Sequence, residues 1–351
     1  MKQILPICIE NNLPTECWSY YRFAIIEAYP HLIPWTVQHY QHIFSGYGWE
    51  VFHGQNGAKY DQLTYYSDAL ITHGMYHEEV SSSDLIPFIR EKINQGFYPL
   101  IECDYSLLLG KEPGHTHEVL VYGYDDENQL IFFPFLKNVK WKSKTAGYAD
   151  FQRAFASFDH LSSNTIDLSL FRREYLYPVT LLSPRKEYHT EYSPFILFND
   201  LRDIGFQAYQ IYETYNTADD SICPAYYGYL GVYNALLIAA GRILVDEEFR
   251  RKYRYAENLN RLHVYRQRFG KNMRFLLFQF TIPYDDSWFI LDNEIVQNLK
   301  CCVMLGLKYE QTGDLRHIPS IHDYMLEIFQ KEQQFFNLLY EAVRKWIVIH
   351  Y

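Results

Sequence analysis

Two periodicities divide the chain. In the first half, short runs alternate between apolar and polar residues or are apolar throughout, broken by turn residues. In the second half, apolar positions recur three and four residues apart, the signature of amphipathic helices. Thr15–Tyr29 reads as a helix stopped by Pro30. Ser83–Gln95 reads as a second, begun by the Ser81-Ser82-Ser83-Asp84 cluster and closed by Gly96. Tyr98–Asp104 and Glu118–Tyr124 read as strands. The latter turns through Asp125-Asp126-Glu127-Asn128 into Gln129–Phe133, which predicts a β-hairpin. Ser183–Ser193, polar and bounded by proline, reads as a linker. Beyond it, helices are predicted over 195–216, 224–245, 247–269, 271–281, 287–310 and 320–348. The expected fold is therefore α+β, with an antiparallel sheet and a leading helix in residues 1–185 and an all-α domain in 186–351.

Length agrees with two domains, because single cores stop growing at roughly 250–300 residues and this chain has 351. Lys and Arg number 32 against 42 Asp and Glu, a formal net charge of −10, which argues against a nucleic-acid partner. Aromatic content changes the picture of the core: 33 Tyr and 24 Phe imply either tyrosine standing in for leucine inside or aromatic-lined binding surfaces. None of the six cysteines forms a CxxC, a reduced, intracellular usage, and the N-terminal apolar patch is too short for a signal peptide. The uncharged run Ser221–Gly241 holds Pro, Gly and Asn234, so a buried helix is expected rather than a membrane span. A cytoplasmic protein with no membrane partner follows as the expectation.

Two residues carry the candidate chemistry. Cys17 sits where a helix is predicted to begin, and the partial positive charge of a helix N-terminus favours the thiolate. His117 opens the strand that runs into Val119-Leu120-Val121, where a base is held rigidly at a sheet end. Together they would make a nucleophile and its general base. His115, two residues away, is the rival base. The plainer reading makes Cys17 a small buried hydrophobe and His117 a hydrogen-bonded structural side chain; Cys8, Cys103, Cys223, Cys301 and Cys302 are expected to be of the buried kind. His115-x-His117 and His73-x3-His77 have ligand-like spacing, but Gly74 weakens a helix there and no metal is expected. No GxGxxG follows a strand and no GxxxxGK[ST] occurs, so no cofactor is expected. Arg266, Arg268, Lys271 and Arg274 read as a solvated helix face that could meet an acidic partner.

Cys17 before a helix, followed about a hundred residues later by an extended strand and His117-x-Val-Leu-Val-x-Gly-Tyr-Asp, is similar to the papain-like peptidases that trim bacteriocin leader peptides. The phrase YPLIECDYSLLLG…HEVLVYGYDDENQLIFF, with HVYRQRFGKNMRFLLFQF later, resembles more closely the butirosin biosynthesis protein H family of antibiotic-biosynthesis clusters. The resemblance implies a papain-like N-terminal domain and an acyltransferase. An acyl or peptidyl group on the phosphopantetheine of a carrier protein would pass through Cys17 to a small-molecule amine or alcohol. It also implies that Asn11 completes the oxyanion hole where papain-like enzymes carry Gln. The residue that orients the histidine should follow the next strand, but Phe132-Phe133-Pro134 stands there, leaving Asn138 as the substitute. Trp18, Asp104, Tyr105 and His115 are the expected substrate contacts. A cysteine peptidase or amidase, and a degenerate domain that only binds, are the other readings the residues allow.

Overall fold

A computed structural model describes residues 1–9, 17–40, 42–46, 50–53, 66–75, 80–137, 140–165, 179–188, 192–206, 211–216, 221–284 and 286–351; Cys17 and Trp18 are described by their place in a helix. In the N-terminal half the strands are β1 (Lys2–Ile4), β2 (Ile43–Gly46), β3 (Glu50–His53), β4 (Leu70–Met75), β5 (Tyr98–Asp104), β6 (Thr116–Leu120), β7 (Gly123–Asp125), β8 (Leu130–Lys137), β9 (Lys140–Gly147) and β10 (Val179–Pro184). Its helices are α1 (Cys17–Ile26), α2 (Ile33–His39), α3 (Leu85–Asn94), α4 (Tyr105–Leu108) and α5 (Tyr148–Thr165). The C-terminal half holds α6 (Pro194–Phe206), a hairpin of β11 (Ile211–Asn216) and β12 (Ser221–Tyr227), and then α7 (Gly228–Val245), α8 (Glu247–Lys252), α9 (Tyr255–Gln279), α10 (Asp286–Thr312) and α11 (His317–His350). The protein is thus α+β, with antiparallel sheets in its N-terminal half and a mostly helical C-terminal half.

The chain forms two compact units, residues 1–36 with 58–189 and residues 37–57 with 190–351. A linear division at residue 186 misses the excursion at 37–57. The β2–β3 hairpin pairs with β12, giving a sheet ordered β11-β12-β2-β3 in the second unit. Asn258, buried on α9, accepts the Val51 amide at 2.8 Å, and Arg261 donates to the Val51 carbonyl at 3.2 Å. This sheet also explains why the helix predicted over 195–216 ends at Phe206. Ile211–Asn216 is rich in β-branched and aromatic residues and finds a strand partner in β12, so tertiary pairing overrides the helical reading.

The first unit carries two four-stranded sheets, β1-β7-β8-β9 and β4-β10-β5-β6. The strand predicted over 118–124 divides between them. Val121 still donates to Pro99 of β5 at 2.7 Å, whereas Tyr122 donates to Phe132 of β8 at 3.1 Å. The hairpin predicted to follow is present as β7–β8. Helix α3 follows the expected Ser81–Asp84 turn, in which the Ser81 hydroxyl donates to Asp84, and it closes at Gly96 with φ +86°.

In helix α1 the described side chains, Ser19 to Ile26, are all buried, Arg22 included. A helix apolar all round belongs inside. Tyr20 stacks on Trp141 with centroids 3.6 Å apart, and Phe23, Trp35 and Tyr66 pack as one aromatic cluster. Tyrosine joins leucine in both cores, and several of its hydroxyls are hydrogen-bonded inside. Tyr124 donates to Asn94 and Tyr66 to Ser19 in the first unit, Tyr229 to the Tyr265 carbonyl and Tyr255 to the Leu236 carbonyl in the second. Helix α7 is long and apolar enough to cross a bilayer by composition, and most of it is buried inside the protein.

His42, just before β2, is buried and hydrogen-bonded through Nδ1 to the Tyr227 hydroxyl. Burial, with His39 adding to it, lowers its pKa from 6.5 to about 3. The unfolded chain therefore takes up a proton between those values that the folded chain refuses. Stability falls with falling pH through that window by about 1.4 kcal/mol per pH unit. His42→Gln is expected to remove this component, seen as a shallower acid dependence of the denaturant midpoint than in the wild type.

Candidate active site

Cys17 is the first described residue of α1. His117 is the second residue of β6, opposite Cys103 of β5. Among the described residues strand β6 is the last in its sheet, with β5 as its one strand partner. Its odd-numbered residues bond to β5, as His115 and Val121 do on either side, so the Glu118 carbonyl points to the edge away from β5. Two groups meet on that oxygen. The Tyr21 hydroxyl donates to it at 3.1 Å, and His117 Nδ1 lies 2.7 Å from it.

This shared carbonyl fixes the chemistry of the imidazole. A carbonyl oxygen only accepts, so Nδ1 carries the hydrogen and Nε2 carries the lone pair. Burial lowers the His117 pKa below its ordinary 6.5, although the bond to the Glu118 carbonyl opposes the shift. The ring is therefore neutral at pH 7, with Nε2 the basic nitrogen. Tyr21, four residues after Cys17 in α1, thus ties this helix to the strand edge that carries His117. The sulfur-to-imidazole distance itself falls outside the described residues.

Around His117 is an aromatic wall. The Tyr105 ring lies 5.4 Å from that of His117, Phe135 lies 6.2 Å from Tyr105, and the exposed His115 ring is 5.9 Å from His117. Lys144 sits 4.9 Å from the Phe135 ring centre and donates to the Leu108 carbonyl at 2.9 Å. Tyr105 and His115, both expected as substrate contacts, are thus brought beside His117. Asp104 is not available in that way. It is wholly buried and accepts from the Ser106 and Gly114 amides at 3.0 and 3.1 Å and from the Ser157 hydroxyl at 3.3 Å. Its carboxylate caps α4 and anchors the loop before β6, a structural task in place of substrate binding.

No protein-family model matches this chain, and no curated protein matches it in sequence.

Asn11 and Asn138, expected as oxyanion donor and histidine orienter, lie outside the described residues, as does the side chain of Trp18. Phe133, where papain-like sites carry the orienting residue, is buried against Phe151. The Glu118 carbonyl holds the His117 ring instead. No side-chain motif advertises a backbone oxygen on a strand edge, so neither Tyr21 nor the Glu118 carbonyl was legible in the sequence. Among the described residues no three His, Cys, Asp or Glu side chains gather as a metal site.

Two expectations about other residues change. Arg266 is not on a solvated face but fully buried, bonded to Glu332 and Asp292, while Arg274 is half-exposed and paired with Asp292 at 2.6 Å. Of the cysteines expected to be buried, Cys103 and Cys302 are, Cys8 is half-buried and Cys301 is exposed; the side chain of Cys223 lies outside the described residues. Adjacent helical positions point about 100° apart, so only one of Cys301 and Cys302 can face the core.

Proposed function

We propose that the first unit is a cysteine-dependent acyltransferase of natural-product biosynthesis, acting in the cytoplasm, with Cys17 as nucleophile and His117 as general base. The observation that supports this reading is the Glu118 carbonyl, which accepts from Tyr21 of α1 and holds His117 through Nδ1, so that Nε2 is the basic nitrogen. In the proposed reaction Nε2 takes the Cys17 proton as the sulfur attacks the thioester carbonyl of a phosphopantetheine-bound acyl or peptidyl group. The carrier's C–S bond breaks, and its sulfur leaves with the proton from His117. An amine or alcohol acceptor then gives a proton to Nε2 and attacks the Cys17 thioester, and the Cys17 sulfur leaves and regains a proton. Thiol-to-thioester exchange is close to neutral and aminolysis runs downhill, so positioning and a neutral imidazole are the main requirements. The aromatic wall of Tyr105, Phe135 and His115 suits an acyl chain or acceptor ring lying beside Nε2.

Intact mass spectrometry after incubation with an acyl-carrier thioester tests the reading. A wild-type adduct of the acyl mass that is absent from Cys17→Ala is the expected result. Equal labelling of both proteins removes Cys17 as the nucleophile. Peptide cleavage without any thioester turnover replaces transfer with hydrolysis at the same dyad.

A further inference from the structure

A pair of carboxylates lies beside this site without entering the proposed chemistry. Glu102 of β5 and Glu118 of β6 are register partners, directly opposite each other. Because the odd residues of β6 make the ladder bonds, this is a non-hydrogen-bonded pair, the kind in which facing side chains approach most closely, with Cα atoms about 4.5 Å apart. Both side chains are half-buried and project from the same face. Like charges so placed repel each other unless one is neutralised.

The other charged and titratable groups around the pair do not remove that conflict. Arg22, buried on α1, attracts Glu118. Asp104 shares the Glu102 face of β5 but is saturated by the donors of its own loop and of Ser157. Cys103 and His117 project from the opposite face of the two strands. Among the described residues Arg22 is the cation that acts on the pair, and it acts on Glu118, so the charge of Glu102 is left uncompensated.

We propose that Glu102 and Glu118 share one proton in the folded protein, forming a carboxyl–carboxylate pair across β5 and β6 whose ionisation makes the first unit less stable as pH rises. Burial and the charge of Glu118 push the pKa of Glu102 up to about 8, and burial raises that of Glu118 against the pull of Arg22. The unfolded chain gives up this proton near 4.5, so across the window between the two values the folded state holds one proton more. Stability therefore decreases with rising pH through that window and levels off above it. The sign is opposite to that of His42 in the second unit. The strand pair concerned is the one that positions His117, so the protonation state of Glu102 sets how firmly the base is held. The inference stands whether or not Cys17 is a nucleophile, because its readouts need no activity.

Denaturant unfolding of the full chain from about pH 5 to 9, wild type against Glu102→Gln, tests it. Glutamine keeps the shape and cannot ionise. The ratio of wild-type to variant folding constants is expected to fall about tenfold per pH unit up to about pH 8 and then to stay constant. The infrared spectrum of the wild type at pH 7 should contain a protonated-carboxyl C=O band that Glu102→Gln lacks. A ratio independent of pH, or no such band in the wild type, overturns the proposal. Should Glu102→Gln fail to fold, Glu118→Gln is expected to give the same curve, and the wild-type band decides by itself.

Discussion

Arg266→Met is expected to cost the second unit about 3–5 kcal/mol of stability, the penalty for leaving buried charge without its partner. The guanidinium is fully buried on α9. It donates through Nη1 to Asp292 of α10 at 2.5 Å, through Nη2 to Glu332 of α11 at 3.1 Å, and through Nε to Glu332 as well. Glu332 also accepts from Tyr233 at 3.0 Å, and Asp292 from Arg274 at 2.6 Å. Two arginines and two carboxylates make a neutral quartet joining three helices. Burial alone would push the Arg266 pKa down, but the charges of Glu332 and Asp292 more than reverse that, so it is charged at any pH at which the protein folds. Gly270 is part of the arrangement, since a Cβ there would lie 2.5 Å from Asp292 Oδ1. Methionine replaces the stem volume and none of the donors. Urea unfolding of the full chain measures the effect. Arg266→Met combined with Glu332→Leu is expected to recover much of the loss, because the stranded carboxylate goes with its partner. A loss below about 1 kcal/mol for the single change, as for an exposed ion pair, would show that water reaches the quartet.

On the proposed mechanism, His117→Gln is expected to lower the rate of Cys17 acylation by about 10²–10⁴, the range a positioned general base supplies. The substitution keeps an amide able to donate to the Glu118 carbonyl, so the fold around β6 should persist. The wild-type pH profile carries the more specific signature. Since burial lowers the His117 pKa, the acid limb of kcat/KM should fall below 6.5 rather than at or above it. With Nε2 gone, the variant should lose that limb and respond instead to hydroxide. Stopped-flow release of the carrier thiol measures both quantities. Activity of the variant within a few-fold of wild type would remove His117 from the mechanism and leave Tyr105, Phe135 and His115 as a surface that binds without reacting.

The two histidines and the acid pair illustrate different degrees of legibility. His117 could be singled out in the sequence because a strand pattern begins beside it, and the structure places it as the second residue of β6. His42 carried no signal, since its burial and its bond to Tyr227 depend on 37–57 crossing to a sheet made with residues nearly two hundred positions away. The Glu102–Glu118 pairing needed the register of β5 on β6, which periodicity leaves open. Arg266 was misread for a related reason. Four basic residues within nine positions look solvated when only one helix is considered, and only the approach of α10 and α11 supplies the buried carboxylates that hold one of them inside.

Local pattern by itself determined the α+β class, a helix within 15–29, the strand Tyr98–Asp104, the hairpin at 125–129 and the helical character of the second half. These depend on periodicity and turn chemistry within a dozen residues, and the chain carries that information in order. Tertiary structure alone decided that 37–57 belongs with the second unit, that Glu118 presents its carbonyl to both Tyr21 and His117, and that Asp104 and Arg266 are spent on internal bonds. Each of these turns on which distant edge or face arrives next to a residue. That choice is made by burial and hydrogen-bond satisfaction over the whole fold, to which no short stretch of sequence has access.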